Sequence, residues 1–297
     1  MSSIPKVAIL TGSAGGIGQE ITSMLARQGW NLGLVNRSPQ KTKSQLEALR
    51  PMYPDQEFAG FTANLIDMSE VKRIAEEISL KFPKISALYN IAGLLTDKRV
   101  MSPQDIEGHF AVNTLAPYYL TQLLRQQLGE GARASRHSVV VNFASSAMNG
   151  VKELDVETLA NPESIGGLTG AYAKSKAALA AASLANRKEL LKDDIFIQVV
   201  DPGPTKTTMT RSSDGMPWFL RLLYPLIFKP ADLQAQKLVT GVELAVHEGK
   251  SGLYIAEGRR KPYPSIALNK GIQSEVKLLL DTEIQQVEQL SKCTDDI

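Results

Sequence analysis

The chain has 297 residues, 43% of them hydrophobic and 22% charged, a composition that excludes a disordered or collagen-like chain and suffices for a sizeable core. Its 33 basic and 31 acidic side chains leave a net charge of only +2, so no broad field draws it to nucleic acid or anionic membrane, and any anion it binds must be held locally. The one cysteine, Cys293, excludes an internal disulfide or a cysteine-held zinc and fits a reducing, cytoplasmic setting.

Met1 to Pro5 has none of the features of a targeting signal, and a strand-like run follows at once. Strands are predicted at 6–10, 31–35, 57–61, 86–90, 138–143, 195–200 and 252–256. After the first strand, Ile17, Ile21, Met24 and Leu25 recur at helical spacing, and Val71, Ile74, Ala75 and Ile78 do so between Met68 and Phe82. Further helices are predicted from about Asp105 to Leu128, Ala171 to Leu191 and Ala231 to His247. This alternation predicts a doubly wound, Rossmann-type α/β fold, with about seven parallel strands flanked by helices on both faces. No linker or composition shift divides it, so residues 1–264 read as one domain, with loop insertions at 146–169 and 205–230. Residues 265–297 form a helical extension in which Val276, Leu280, Ile284, Val287 and Leu290 make an apolar stripe, packed on the body or on a second subunit.

The first strand runs into Thr11-Gly12-Ser13-Ala14-Gly15-Gly16-Ile17-Gly18, which opens directly into a helix. Glycines let the backbone approach a pyrophosphate, and the free amides of a helix N-terminus supply donors and a positive dipole end. The glycines follow T-G-x-x-x-G-x-G rather than G-x-G-x-x-G, and no G-K-[ST] of a nucleoside triphosphate loop is present. At the end of the second strand, where a dinucleotide fold commonly puts an acid on the ribose, stand Asn36 and Arg37. Without the carboxylate a 2′-phosphate is not repelled, and Arg37 can grip it, so NADP(H) is expected over NAD(H).

Tyr172 and Lys176 lie four residues apart near the start of a predicted helix, on one face. An ammonium beside a phenol favours phenolate, so the expectation is a lowered tyrosine pKa. With this pair, the chain over residues 6–257 resembles the short-chain dehydrogenase/reductase family, whose signatures match in order. They are the glycine turn, Asn90-Ile91-Ala92-Gly93, Asn113, Ser145 in Val140 to Ser146, Tyr172 with Lys176, and Pro202-Gly203 with Thr207. In the family the serine falls three residues after the asparagine, so the resemblance selects Ser145, three after Asn142, over Ser146.

The resemblance implies hydride transfer between a nicotinamide and a carbonyl or alcohol carbon. In it Tyr172 is the general acid or base, Ser145 a donor to the substrate oxygen, Lys176 a holder of the nicotinamide ribose, and Asn113 the holder of a proton-relaying water. It also implies cofactor contacts from Gly12, Ser13, Gly16, Ile17 and Gly18, from Asn36 and Arg37, and from Asn64 and Leu65 near adenine. Asn90, Ala92 and Gly93 fall beside the ribose, and Pro202, Gly203 and Thr207 at the nicotinamide end. The family often has aspartate where this chain has Asn64. The 27-position spacing from Ser145 to Tyr172, and the ending Ser251 to Ile255 followed by Glu257-Gly258-Arg259-Arg260, are similar to the retinol-dehydrogenase-like branch.

Met216, Trp218, Phe219, Leu222, Leu223, Leu226 and Phe228 enrich the second insertion, which reads as an apolar lid for a small-molecule carbonyl or alcohol substrate. A subunit interface in a homo-oligomer and a peripheral membrane contact are competing readings of the same residues. The stretch is too short, and too broken by Arg221 and Pro225, to be a transmembrane segment. His109, His137 and His247 are scattered and are assigned no chemistry, and no metal is expected. The reading from another class is a non-catalytic NADP(H)-binding regulatory or interaction protein.

Overall fold

The structure of the chain, a computed structural model, describes residues 6–166, 170–205 and 229–295, with side chains described through residue 289. Eight strands form one sheet in the order β3-β2-β1-β4-β5-β6-β7-β8. They are β1 (Val7–Thr11), β2 (Asn31–Asn36), β3 (Phe58–Thr62), β4 (Ala87–Asn90), β5 (Ser138–Phe143), β6 (Ile195–Asp201), β7 (Leu253–Ala256) and β8 (Arg259–Lys261). The first seven pair in parallel. β1, β4, β5 and β6 are buried along their whole length, as strands covered on both faces must be.

Ile17, Ile21 and Leu25 of α1 (Gly16–Arg27), Leu49 of α2 (Pro39–Met52) and Leu238, Val239 and Val242 of α8 (Ala231–His247) cover one face. The other is covered by α3 (Met68–Lys81), by the segment from α4 (Gly108–Phe110) through α5 (Ala116–Leu123) into α6 (Arg125–Ser135), and by α7 (Ala171–Leu191). β1 lies between β2 and β4, so successive crossovers diverge there and open a crevice at the carboxyl ends of the two strands. Among the described residues no helix is long and apolar enough to cross a membrane.

Three departures from the sequence pattern have physical causes. α2 goes unpredicted because only Thr42 and Leu49 of it are buried; it starts where Ser38 accepts a hydrogen bond from the Lys41 amide, with Pro39 in its first turn. β8 is antiparallel to β7 and wholly exposed, and its Arg-Arg-Lys sequence offers no apolar signal. The Glu257-Gly258 turn that reverses the chain has positive φ at both residues. The helix expected from Asp105 to Leu128 is broken by a π-helical turn at Ala111–Leu115. Pro117 has no N–H to give the Asn113 carbonyl four residues earlier, and the Ala116 amide reaches back five residues to the Ala111 carbonyl.

The first insertion is no open flap over its described part: after a 3-10 turn at Ser146–Gly150, Val151, Leu154, Val156 and Leu159 are buried in the core. Gly167 to Thr169 and the whole apolar stretch 216–228 lie outside the described residues. α9 (Ser265–Leu268) leads into α10 (Lys270–Asp295), whose Val276, Leu280 and Val287 are buried. α10 packs across α7 and α3, and its Asp281 accepts a 2.7 Å hydrogen bond from the Tyr118 hydroxyl of α5. The extension therefore lies on its own body.

Candidate active site

The glycine turn is held from three sides. Thr11 Oγ1 accepts from the Ile91 and Ala92 amides, each at 3.1 Å, and ties the end of β4 to the end of β1. Gly12 has φ +68°, and a Cβ on it would meet the Ala92 backbone at 3.0 Å; a Cβ on Gly18 would sit 2.2 Å from the Gly12 carbonyl oxygen. Only glycine fits at either position. The N-cap Gly15 provides no side-chain cap, and the first turn of α1 carries no acid. Among the described residues nothing accepts from the amides of Gly16, Ile17 and Gly18. That cradle of unspent donors at a helix N-terminus fits a dinucleotide pyrophosphate.

Asn36 and Ser13 serve the turn itself. The Asn36 carboxamide oxygen accepts from the Ala14 amide at 2.9 Å, and its nitrogen donates to Ser13 Oγ at 2.9 Å and Thr42 Oγ1 at 3.2 Å. Gln45 of α2 closes the network, accepting from Ser13 Oγ at 3.0 Å and donating to the Ser13 carbonyl at 2.9 Å. Sequence reading missed Thr42 and Gln45 because the helix that carries them was not predicted. Arg37 stands exposed beside this network, with no hydrogen-bond or ion-pair partner among the described residues. Asn64 is half-buried and its amide donates to Glu70 at 3.0 Å, while Leu65 packs on the core.

On the other side of the crevice, Asn90 donates to the Asn142 side chain at 2.8 Å, and Asn142 donates to Ser183 of α7 at 2.9 Å. The Asn90 carboxamide oxygen is buried without a partner. Asn113 sits in the π-helical turn with both N–H groups engaged, on the Leu94 carbonyl and on Ser175 Oγ, each at 3.0 Å; its oxygen accepts from the Leu94 amide at 2.8 Å. Ser175 Oγ in turn donates to the Tyr172 carbonyl at 2.7 Å. The Asn113 side chain thus braces the first turn of α7 and the stretch after Gly93.

Ser145, Tyr172 and Lys176 come together where β5 ends against that first turn. The Ser145 side chain lies close enough to Tyr172 to favour its phenolate and is half-buried, whereas Ser146 is exposed. Lys176 is buried, with Nζ 2.6 Å from the Phe143 carbonyl oxygen. The electrostatics differ from the expectation of a lowered tyrosine pKa. Burial holds the phenol above its ordinary value, the Ser145 side chain offsets part of this, and the charge of Asp201 adds to it. Burial also brings Lys176 down to about 8, against an opposing pull from Asp201. Desolvation outweighs the lysine charge because the ammonium is turned toward a backbone carbonyl.

Asp201, which the sequence reading left out, ends β6. One carboxylate oxygen accepts from the Gly203 amide at 2.8 Å and the other from the Tyr254 hydroxyl at 3.2 Å. The side chain therefore ties the Pro202-Gly203 turn to β7. Burial raises its pKa against these donors. Asp-Pro-Gly after a strand is the sequence signal of such an Asx turn. Thr207 lies outside the described residues.

His109 was also missed. Its ring packs edge-on against Tyr172, with centroids 6.3 Å apart and planes at 73°. Nδ1 is 2.7 Å from Glu107 Oε1, and Nε2 accepts from the Thr96 amide at 3.2 Å. Only an imidazole with its proton on Nδ1 satisfies both contacts.

The chain is similar to known proteins in sequence and in fold. The model of the family described as short chain dehydrogenase matches residues 6–217. Polyprenol dehydrogenase from Homo sapiens is similar at 26% identity, over 91% of this chain and 82% of its own. Retinol dehydrogenase 12 from Mus musculus is similar at 28% identity, over 89% and 82%. Among solved structures, the NADPH-bound carbonyl reductase from chicken fatty liver superposes with a TM-score of 0.66 at 19% identity, over 87% of this chain and 99% of that one. A short chain dehydrogenase from Shigella flexneri, complexed with NADP, gives 0.65 at 22% identity, over 86% and 99%.

Proposed function

The chain belongs to the short-chain dehydrogenase family and is an oxidoreductase of CH–OH or C=O groups, and from that premise we propose that it uses NADP(H) on an apolar small molecule, with Tyr172 as general acid in reduction and general base in oxidation. The observation that carries this reading is the meeting of the Ser145 hydroxyl, the Tyr172 phenol and the Lys176 amine at the carboxyl end of β5. The relatives named polyprenol and retinol dehydrogenase support an apolar alcohol or aldehyde.

The cofactor would lie with its pyrophosphate on the amides of Gly16, Ile17 and Gly18, its 2′-phosphate on Arg37, and its ribose and nicotinamide beside Asn90, Ala92, Gly93, Lys176, Pro202 and Gly203. When bound it supplies the hydride. Ser145 donates to the substrate oxygen, offsetting the charge that gathers there as the carbonyl is reduced. Tyr172 gives that oxygen its proton, and a phenol held above its ordinary pKa arrives protonated for the task. Asn113 and His109 keep the loop after β4 and the first turn of α7 in register with the tyrosine.

The test is consumption of NADPH and NADH over a panel of short polar and long apolar aldehydes and ketones, with and without Tyr172. Tyr172-dependent turnover that favours long apolar carbonyls supports the reading. Tight NADPH binding without turnover would favour a regulatory protein, and comparable turnover of polar and apolar compounds would remove the apolar substrate.

Arg37→Asp is expected to lower the ratio of NADPH to NADH kcat/KM by about 10- to 100-fold, the scale of one hydrogen bond to a charged phosphate. An unchanged ratio would take the 2′-phosphate away from Arg37.

Asp201→Asn is expected to move the pH profile of alcohol oxidation toward lower pH. The carboxylate raises the pKa of both Tyr172 and Lys176 on α7, so its removal lets the phenol lose its proton earlier. Tyr254 from β7, and Glu257 with its ion-pair partner Lys229, also face this group and stay in place. A profile that loses height without shifting would confine Asp201 to holding the turn.

A further inference from the structure

A cavity of about 1210 Å³ opens beyond the catalytic residues, between the Ser146 turn, the Asp201-Gly203 turn, α8 and the β7–β8 hairpin. It is large enough for an organic ligand. Val151, Leu244, Pro262 and Tyr263 give it apolar walls. Its charges are uneven. Five cations line it against two carboxylates, Asp201 and Glu257, an excess of three where the whole chain carries only +2. The remainder of the molecule is thus net negative, and general basicity does not account for the patch.

Lys229 is spent on Glu257, at 2.6 Å. Lys152, Lys237, Arg259 and Lys261 have no carboxylate or hydrogen-bond partner among the described residues. Lys152, Arg259 and Lys261 are exposed and Lys237 is half-buried, whereas Asp201 is buried at the inner end beside Tyr172 and Lys176. Among the residues that line it, the cavity is therefore polarised, with the buried carboxylate of Asp201 at its inner end and the unpaired cations at its rim. A concave surface lined by one sign of charge focuses its field on a ligand of the other sign. The 2′-phosphate and pyrophosphate of a dinucleotide do not account for these cations, because Arg37 and the α1 amides lie at β1 and β2, across the sheet from β7 and β8.

We propose that the rim binds an anionic group, a carboxylate or a phosphate monoester, at the far end of an apolar substrate whose neutral carbonyl or hydroxyl end enters beside Ser145 and Tyr172. This rests on the oxidoreductase reading above and names its substrate class. Asp201 repels the anionic end from the inner position while the rim attracts it, so the charge pattern selects one orientation of a bifunctional chain. Specificity then comes from repulsion as well as attraction.

The test compares 10-oxodecanoate, its methyl ester and 10-oxodecyl phosphate as substrates with NADPH, for the unaltered protein and for a Lys237→Ala/Lys261→Ala variant. The expected result is a kcat/KM about 10-fold or more higher for the acid or the phosphate than for the ester. That preference should fall with added salt and vanish in the double variant, while the ester is turned over unchanged. The ratio of acid to phosphate tells which anion the rim prefers. Binding of decanoate against methyl decanoate to the NADPH-loaded protein, measured by calorimetry, gives the same comparison without turnover. Equal treatment of acid and ester, or a preference that survives in the double variant, overturns the proposal and leaves the oxidoreductase reading intact. Charge-selective calorimetric binding with no Tyr172-dependent turnover of any compound keeps the anion site and overturns the oxidoreductase reading instead.

Discussion

Tyr172→Phe is expected to lower kcat by about 10²- to 10⁴-fold, the usual contribution of a positioned general acid or base, and to leave NADPH binding by fluorescence titration close to that of the unaltered protein. Phenylalanine keeps the ring that packs against His109 and removes only the hydroxyl that meets Ser145. The change therefore separates proton transfer from folding. The loss should fall on kcat at every pH, because no neighbouring group takes over: Lys176 is directed to the Phe143 carbonyl, and Asp201, whose charge acts on the phenol, is committed to Gly203 and Tyr254. A decrease of less than about tenfold would remove Tyr172 from the chemical step.

Glu107→Ala is expected to have the largest effect on stability, on the order of 3–5 kcal/mol, because it leaves several buried donors unpaired. Glu107 is almost fully buried. One carboxylate oxygen accepts from the amides of His109 at 2.9 Å and Phe110 at 3.1 Å, and the other meets His109 Nδ1 at 2.7 Å. Its own amide donates to the Ala160 carbonyl at 2.7 Å, which fastens the first insertion to this corner. Once the carboxylate is gone, the imidazole loses the acceptor that fixes its tautomer, and with it the support of the Tyr172 ring. Urea titration measures the stability term, and kcat on the folded fraction measures the second effect. Glu107→Gln should retain part of both, since a carboxamide oxygen still accepts. A change below about 1 kcal/mol would show these contacts to be dispensable.

The sequence carried the parallel strands and the larger helices because their apolar periodicity is produced by the same two-sided burial that the sheet imposes. It pointed to Ser145, Tyr172 and Lys176 because residue type and order along the chain, rather than packing, single them out. What it did not carry depends on partners distant in the chain. Asp201 lies 29 positions from Tyr172, and its influence on the phenol exists only after β6 is laid beside β5. His109 is the residue before Phe110 in an unremarkable helix start, and nothing local shows that its ring meets a tyrosine more than 60 positions later. Asn36 and Ser13 read as cofactor contacts, yet their side chains are turned to each other and to Gln45. The lysine's effect on the phenol was overestimated, since spacing along a helix gives proximity but not the direction of a flexible amine or the cost of burying it.

The C-terminal helix lies against the helix whose first turns bear Tyr172 and Lys176. Its Asp281 is anchored to Tyr118, which adjoins the π-helical turn that holds Asn113. The tail is therefore a splint for the helix that carries Tyr172 and Lys176. A protein shortened at residue 269 would keep both side chains and lose the packing behind the helix that holds them.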